Sequence, residues 1–247
     1  MRTIAVIARK GGSGKTTVAV HLAIAAHLSG RRTLLADTDP QHSASDVLKA
    51  REGPGPDWTA STPAGLLQAQ ISAQRAGVEA MVIDTPAGAE ESMSNAIVLA
   101  DLSLLVVRPT FLDLAASIQT AQVLRRLRKP SLVVLNQAPV ARDGIEPPAV
   151  KRGLDALKLL RLPVAPAILR TRASYQTTVE GGRSAVETTP NTPASRELAE
   201  LWEFVERFVF GGPRRTPFRV QDEMDYGGGA DDQRTRVPLD TVAKSFE

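Results

Sequence analysis

The sequence predicts an α/β fold, in which helices cover both faces of a doubly wound, mostly parallel sheet. Short apolar runs alternate along the chain with longer segments of helical periodicity. The short runs are apolar at nearly every position, which is typical of strands covered on both faces. Because parallel strands need a crossover connection, this alternation favours right-handed β-α-β units.

Each strand is predicted from an apolar run, and each helix from the segment that follows it. The strands are 3–8, 33–37, 80–84, 102–107 and 131–136, with 164–169 as a sixth candidate. The helices are at about 16–29, 62–76, 89–99, 111–128 and 147–161, with Gly30 as a stop signal for the first. These elements define one domain over 1–212. We expect 213–247, which has little apolar periodicity, to be a disordered or loosely attached tail.

Composition excludes several classes of protein. The chain has no cysteine, so it has no disulfide, no thiolate metal site and no Cys-held iron–sulfur cluster. Its first apolar run is too short for a signal peptide, and no stretch approaches the roughly 20 apolar residues of a membrane span. We therefore expect a cytoplasmic protein. The formal net charge of +3 favours no particular partner.

The first strand leads directly into a glycine-rich loop, ARKGGSGKTT, which precedes the first helix. Glycines let backbone N–H groups approach phosphate oxygens, and a helix N-terminus adds partial positive charge. This strand–loop–helix context is typical of the phosphate-binding pattern G-x-x-x-x-G-K-[ST], although Arg9 replaces its first glycine. The predicted nucleotide-binding residues are Gly11, Gly12, Ser13, Gly14, Lys15, Thr16 and Thr17.

Within this loop the side chains suggest separate tasks. Lys15 would reach the β- and γ-phosphates, the Thr16 hydroxyl would ligate Mg²⁺, and Thr17 would lie near the α-phosphate. The alternative is an ordinary glycine-rich turn, which the strand and helix on either side disfavour.

Aspartates follow the next two strands. Asp37 and Asp39 could place one carboxylate near Mg²⁺ and one near an attacking water, or they could be capping or turn residues. Asp84 ends an apolar run, as the Walker-B carboxylate that acts on Mg²⁺ does. Three consecutive strand ends with GKT, DTD and D predict a site for nucleotide hydrolysis.

Asn136 ends the fifth predicted strand. Its amide offers a donor and an acceptor and could hydrogen-bond adenine. Asn also commonly terminates strands with no ligand, so both interpretations remain open.

The segments KGGSGKTT, DTDPQ and VIDTPAG resemble those of the deviant Walker ATPases of the ParA/MinD group, over about residues 1–210. The resemblance is strongest to the small ParA (ParF-like) partition ATPases. It implies that Lys10 reaches across a homodimer to phosphate of the ATP held by the partner subunit, and that Gly11 lies where the subunits approach. It also implies that Asp39 orients the hydrolytic water, that Asp37 lies near Mg²⁺ and that Asp84 is the Walker-B residue.

The same resemblance implies a function. An ATP-dependent dimer would bind nonspecific DNA on the nucleoid, a ParB-like adaptor would stimulate slow hydrolysis, and plasmid or chromosome DNA would be partitioned. One alternative is the same cycle acting on a protein cargo, such as a chemoreceptor cluster or microcompartment. The basic residues that could contact DNA, or could merely be solvated, are Lys151, Arg152, Lys158, Arg161, Arg170, Arg172 and Arg183.

A MinD-like, membrane-associated regulator of the division site is a further alternative and would need an amphipathic terminal helix. The candidate is 198–210, with an apolar stripe formed by Leu198, Leu201, Trp202, Val205, Phe208 and Val209. Its other face carries Glu200, Glu203 and Glu206 and lacks the Lys and Arg richness that membrane surfaces attract. We therefore favour a last helix packed on the sheet and expect no membrane binding.

Overall fold

Six parallel strands form the central sheet of the computed structural model, which describes residues 1–212. The strands are β1 (Arg2–Ile7), β2 (Thr33–Asp37), β3 (Asp57–Ala60), β4 (Ala80–Asp84), β5 (Leu102–Val107) and β6 (Ser131–Leu135). Their order across the sheet is β3-β2-β4-β1-β5-β6. This confirms the doubly wound α/β fold; the predicted tail, 213–247, lies outside the described residues.

Helices connect the strands and complete the described chain. Their bounds are α1 (Lys15–Leu28), α2 (Ser43–Lys49), α3 (Leu66–Arg75), α4 (Glu90–Leu99), α5 (Phe111–Leu127), α6 (Pro148–Lys158), α7 (Ser174–Thr177), α8 (Ala185–Thr188) and α9 (Pro193–Phe210). A 3₁₀ turn, Val179–Gly181, lies between α7 and α8.

Alternate residues of each central strand enter opposite apolar layers. In β1, Ile4 and Val6 pack in a layer with α1 and α9, whereas Ala5 and Ile7 pack in the layer formed with α3 to α6. All four side chains are fully buried. This two-sided burial explains why the strand sequences are apolar at almost every position.

The regular elements predicted between 3 and 136 are confirmed, with ends that differ by a few residues. The prediction missed α2 and β3, because one has seven residues and the other is a four-residue edge strand that is mostly exposed.

The predicted sixth strand at 164–169 is wrong. That segment makes only isolated bridges to the chain around β6, such as Val133 with Val164. Pro163 directly precedes it and Pro166 interrupts it, and a proline cannot donate a ladder hydrogen bond. The segment still lies against β6, where the Ala165 and Leu169 amides donate to Val133 and Leu135 carbonyls.

The last helix packs on the sheet, as the sequence favoured. Most of its apolar stripe, including Leu201, Trp202 and Val205, is buried in the layer with α1. The prediction that Glu206 lies on the solvated face is wrong. Only 3% of this residue is exposed, and its Oε1 lies 2.7 Å from Arg31 Nη2. Arg31 also stacks over the Phe210 ring at 4.0 Å. Within residues 1–212, no helix is long and apolar enough to cross a membrane.

Because the ion pair between Arg31 and Glu206 is buried, we expect its loss to destabilise the protein more than the loss of an exposed ion pair on the same helix. Glu206→Ala leaves a buried guanidinium without its carboxylate, so we expect the free energy of unfolding to fall by about 3–5 kcal/mol. Glu203→Ala is the matched control, because Glu203 pairs with Arg207 on the exposed face of α9 and should change stability by about 0.5 kcal/mol or less. Urea unfolding measures both variants. Equal losses in the two would contradict the anchoring role of Glu206.

Candidate nucleotide-binding and hydrolysis site

The carboxyl ends of β1, β4 and β2 meet at one edge of the sheet, and this edge forms the candidate site. In the strand register, Asp84 lies opposite Val6 on one side and Asp37 on the other. Adjacent strands are about 4.8 Å apart and register partners project to the same face. The register therefore places the carboxylates of Asp37 and Asp84 side by side, close to the start of the glycine-rich loop.

The loop between β1 and α1 depends on glycine at two positions. Gly12 and Gly14 have φ values of 73° and 85°, in the left-handed region that side chains with a Cβ rarely adopt. Gly14 is also the residue that precedes α1. A Cβ at Gly14 would lie 2.3 Å from Asn136 Nδ2, so backbone geometry and packing both require glycine there.

Two amide side chains after β6 hold this loop in place. Asn136 Nδ2 donates to the Ser13 carbonyl at 2.8 Å, and Gln137 Nε2 donates to the Gly12 carbonyl at 2.9 Å. Gln137 and this contact of Asn136 were not predicted from the sequence. Two consecutive amide residues at a strand end were the available signal. The adenine contact of Asn136 stays a prediction.

Lys15 begins α1 as a buried cation among carboxylates. The residue is only 6% exposed. Burial lowers the pKa of Lys15, while the charges of Asp84 and Asp39 oppose that shift. The three side chains therefore converge on one polar pocket behind the loop.

Asp84 is a fully buried carboxylate that lacks hydrogen-bond partners among residues 1–212. Neither of its oxygens has a partner within hydrogen-bonding geometry in the described chain. Burial raises the pKa of Asp84 to about 7, with a further contribution from Asp37, whereas the nearby Thr16 hydroxyl and Lys15 act in the opposite direction. Unsatisfied buried carboxylates are costly, so they are typical of positions that receive a ligand.

The Asp84 and Thr16 oxygens fit a Mg²⁺ ion that arrives with a nucleotide. Among residues 1–212, no group of three or more His, Asp or Glu side chains could hold a metal ion by itself. Mg²⁺ commonly takes one or two protein ligands and completes its shell with phosphate oxygens and waters. The two unpartnered Asp84 oxygens are suited to such a shared site, directly or through water.

Asp37 and Asp39 both use carboxylate oxygens in local turn contacts. Asp37 accepts from the Asp39 amide at 3.1 Å and from the Ser45 amide at 2.9 Å. Asp39 Oδ1 accepts from the Gln41 amide at 3.0 Å, and its residue is half-buried. The turn interpretation therefore describes part of their geometry. Their assignments to Mg²⁺ and to the attacking water remain predictions.

Lys10 lies outside this pocket on the open side of the loop. It is exposed, and it makes no hydrogen bond or ion pair within residues 1–212. A Cβ on the adjacent Gly11 would have no atom within 4 Å, so the surface there is open. Arg9 lies 3.6 Å from Glu90. The reach of Lys10 to a second subunit stays a prediction.

The basic residues predicted to contact DNA fall into two groups. Arg170 pairs with Glu146 and Arg172 with Glu197, with side chains 11% and 22% exposed, so nearby carboxylates already offset their charges. The exposed members are Lys151, Arg152, Lys158, Arg161 and Arg183. Of these, Lys158 pairs with Asp155. Lys151 and Arg152, near the start of α6, are thus better placed for DNA contact than Arg170 and Arg172.

Residues 4–181 match the model of the CobQ/CobB/MinD/ParA nucleotide binding domain. The chain belongs to this family, whose ParA/MinD members are P-loop ATPases. The fold and the glycine-rich loop described above agree with that membership.

The relatives of this chain include proteins named for the positioning of different cargoes. It is 32% identical over 191 residues to the maintenance of carboxysome distribution protein A of Gloeobacter kilaueensis, which covers 75% of this chain and 84% of that protein. It is 47% identical over 51 residues to the chromosome-partitioning ATPase Soj of Thermus thermophilus, a match to 21% of this chain and 20% of that one.

Solved structures share the fold. The cell division ATPase MinD of Pyrococcus furiosus superposes with a TM-score of 0.69 at 22% identity, over 84% of this chain and 99% of that one. The septum site-determining protein MinD of Pyrococcus horikoshii, solved with Mg-ADP, gives a TM-score of 0.67 at 21% identity, over 83% and 96%.

Neutralising Asp84 should stabilise the ligand-free protein. The pKa of Asp84 is raised from 3.8 to about 7, so its contribution to folding is fully present below about pH 4 and is lost as pH rises toward 7. We expect Asp84→Asn to raise the free energy of unfolding at pH 8 by about 1–3 kcal/mol and to remove that part of the pH dependence. Unfolding at pH 5 and pH 8, without nucleotide or Mg²⁺, measures both effects.

Asp37→Asn is the control for this prediction. Asp37 accepts two backbone N–H bonds, so the amide should weaken at least one and lower stability by about 1 kcal/mol. If Asp84→Asn were destabilised like Asp37→Asn, the carboxylate of Asp84 would not be the uncompensated charge.

Proposed function

We propose that this chain is a Mg²⁺-dependent ATPase whose ATP-bound homodimer positions cargo, with partition of plasmid or chromosome DNA as the principal function. One observation carries the proposal: the buried, unpartnered carboxylate of Asp84 lies near Lys15 and Thr16, behind a glycine loop of phosphate-binding geometry. Such a pocket suits a polyphosphate with its metal better than a neutral ligand.

The residues of the pocket have different roles in hydrolysis. The loop amides and the N-terminus of α1 bind phosphate oxygens, and Lys15 offsets charge on the β- and γ-phosphates. Thr16 and Asp84 hold Mg²⁺, which supplies positive charge to the phosphates when bound. Asp39 orients the water that attacks the γ-phosphate, and its Oδ2 makes no hydrogen bond within residues 1–212, which leaves it available.

Hydrolysis by this site depends on a second copy of the chain. Lys10 is exposed beside an open Gly11, which leaves its side chain room to reach phosphate of the ATP in the partner subunit. The ATP-bound dimer binds nonspecific DNA through exposed basic residues such as Lys151 and Arg152, and a ParB-like adaptor stimulates hydrolysis. We place the protein in the cytoplasm, associated with the nucleoid.

A protein cargo is the second candidate function. The match to a carboxysome distribution protein covers three quarters of this chain, whereas the match to chromosome-partitioning Soj covers 21% of it. The ATPase cycle is the same in both cases, so the cargo decides between them. An adjacent gene for a DNA-binding adaptor with centromere-like repeats would favour partition, and adjacent shell-protein genes would favour the protein cargo. Burial of the α9 stripe disfavours a MinD-like membrane function.

Lys10→Ala should separate ATP binding from dimerisation. We expect the variant to bind ATP with Mg²⁺ but to remain monomeric where the unmodified chain dimerises, and to lose most turnover, because the lysine acts on the partner's nucleotide. Analytical ultracentrifugation with a non-hydrolysable ATP analogue measures the change. The control is Lys49→Ala, which removes a similar charge from an exposed i,i+3 pair with Asp46. Unchanged dimerisation of Lys10→Ala would exclude the proposed reach between subunits.

Arg152→Ala should weaken DNA binding by the ATP-bound protein. Loss of one phosphate contact should lower the slope of log K against log salt concentration by about 1, irrespective of DNA sequence. Arg75→Ala is the matched control: Arg75 is also an exposed helical arginine, but it ends α3 at the opposite edge of the sheet from the candidate site. Fluorescence anisotropy over a salt series measures both. Equal slopes for the two variants would argue against a DNA surface at the start of α6.

A further inference from the structure

A cation that the sequence analysis did not assign lies against the phosphate loop. Arg108 follows β5 directly, and its Nη1 lies 3.6 Å from the position that a Cβ on Gly12 would occupy. The Arg108 guanidinium therefore lies beside the loop at Gly12, the residue between the exposed Gly11 and the buried Ser13. Its side chain is 30% exposed, so it borders solvent on one side.

The first turn of α5 fixes the orientation of this guanidinium. Arg108 Nε donates to Asp113 Oδ1 at 3.0 Å, and Nη2 donates to Oδ2 at 3.1 Å. The Asp113 side chain is 4% exposed. The Thr110 hydroxyl donates to Asp113 Oδ2 at 2.6 Å and accepts from the Asp113 amide at 3.3 Å as the cap of α5. Arg108 is thus held by a buried carboxylate that is itself held by a helix cap.

This arrangement leaves Nη1 of Arg108 as a donor without a hydrogen bond in the described residues. Nε and Nη2 are both occupied by Asp113, whereas Nη1 makes no hydrogen bond within residues 1–212. A planar guanidinium that is fixed through two nitrogens can present its third to an anion with little further loss of side-chain freedom. The anion site that Nη1 borders is the phosphate loop.

The position of Gly12 indicates which phosphate of a bound nucleotide would lie near Arg108. The end of the loop that opens a helix holds the α- and β-phosphates. Gly14 is that end here, and Gly12 lies two residues upstream, toward the exposed Lys10. Arg108 therefore borders the part of the loop that is farther from the helix and nearer to the distal phosphate.

We propose that Arg108 donates from Nη1 to the γ-phosphate of the ATP held by the loop of the same subunit, and that Asp113 is its positioning residue. The proposal rests on the proposed function, because it requires that the loop bind ATP. Its consequence is selectivity: Arg108 favours the triphosphate over the diphosphate, since ADP lacks the group that Nη1 contacts.

The test compares binding of two nucleotides to variants of the full chain. Isothermal titration with Mg²⁺ measures the affinities for AMPPNP and ADP. For Arg108→Ala we expect AMPPNP to bind about 10-fold more weakly and ADP to bind within about 2-fold of the unmodified chain, as loss of one charge-assisted hydrogen bond implies. Arg75→Ala, which removes the same charge from the far edge of the sheet, should change neither affinity.

Two further variants keep the test interpretable. Arg108→Ala leaves the buried Asp113 unpaired, so the double variant Arg108→Ala/Asp113→Asn removes that charge and should show the same selective loss while remaining folded by circular dichroism. Asp113→Asn alone retains Arg108 but weakens its anchor, so the preference for AMPPNP over ADP should fall by a smaller factor.

The outcomes separate the proposals. Equal weakening of AMPPNP and ADP would show that Arg108 only maintains the shape of the loop, and unchanged affinities would show no contact; either overturns the inference. A selective loss that disappears in a Lys10→Ala background would overturn the assignment to the same subunit. If the unmodified chain bound neither nucleotide, the proposed function itself would fail, irrespective of Arg108.

Discussion

The pairing of β4 between β1 and β2 is the constraint on which the site depends. This pairing places Asp84 between Val6 and Asp37 in register and delivers both carboxylates to the edge where the glycine loop begins. The strands can be adjacent only because their sequences tolerate burial on both faces. The hydrophobic pattern that builds the sheet therefore also determines where the charges meet.

The charges gathered at this edge are only partly compensated by the protein. Burial lowers the pKa of Lys15 and raises that of Asp84, so desolvation disfavours the charged form of each group despite their mutual attraction. Within residues 1–212, neither oxygen of Asp84 has a hydrogen-bond partner to offset the cost. A phosphate group with its metal ion would supply the missing counter-charges. A ligand that supplied them would therefore stabilise the folded chain.

Local sequence patterns predicted most of the fold and many of the residues that the structure gathers at the candidate site, because apolar runs, glycines and aspartates at strand ends are each recognisable within a few residues. Contacts between segments that are far apart in the sequence could not be predicted from such local patterns. Glu206 appeared solvated from helical periodicity alone, since nothing nearby in sequence reveals Arg31. The amide contacts of Asn136 and Gln137 with the loop, and the guanidinium of Arg108 beside it, depend equally on tertiary packing. The prediction of a strand at 164–169 failed because its apolar residues are typical of a strand, whereas Pro166 cannot donate a ladder hydrogen bond.

Because Gly14 fits closely against Asn136, the glycine-rich loop and the end of β6 can change only together. The two residues are far apart in the chain, yet the amide occupies the space that a side chain at position 14 would need, and it binds the carbonyl of the neighbouring Ser13. A phosphate loop transplanted from another protein into this chain would therefore meet a surface shaped for a different backbone. Engineers who exchange loops between such ATPases should move the dipeptide after β6 together with the glycines.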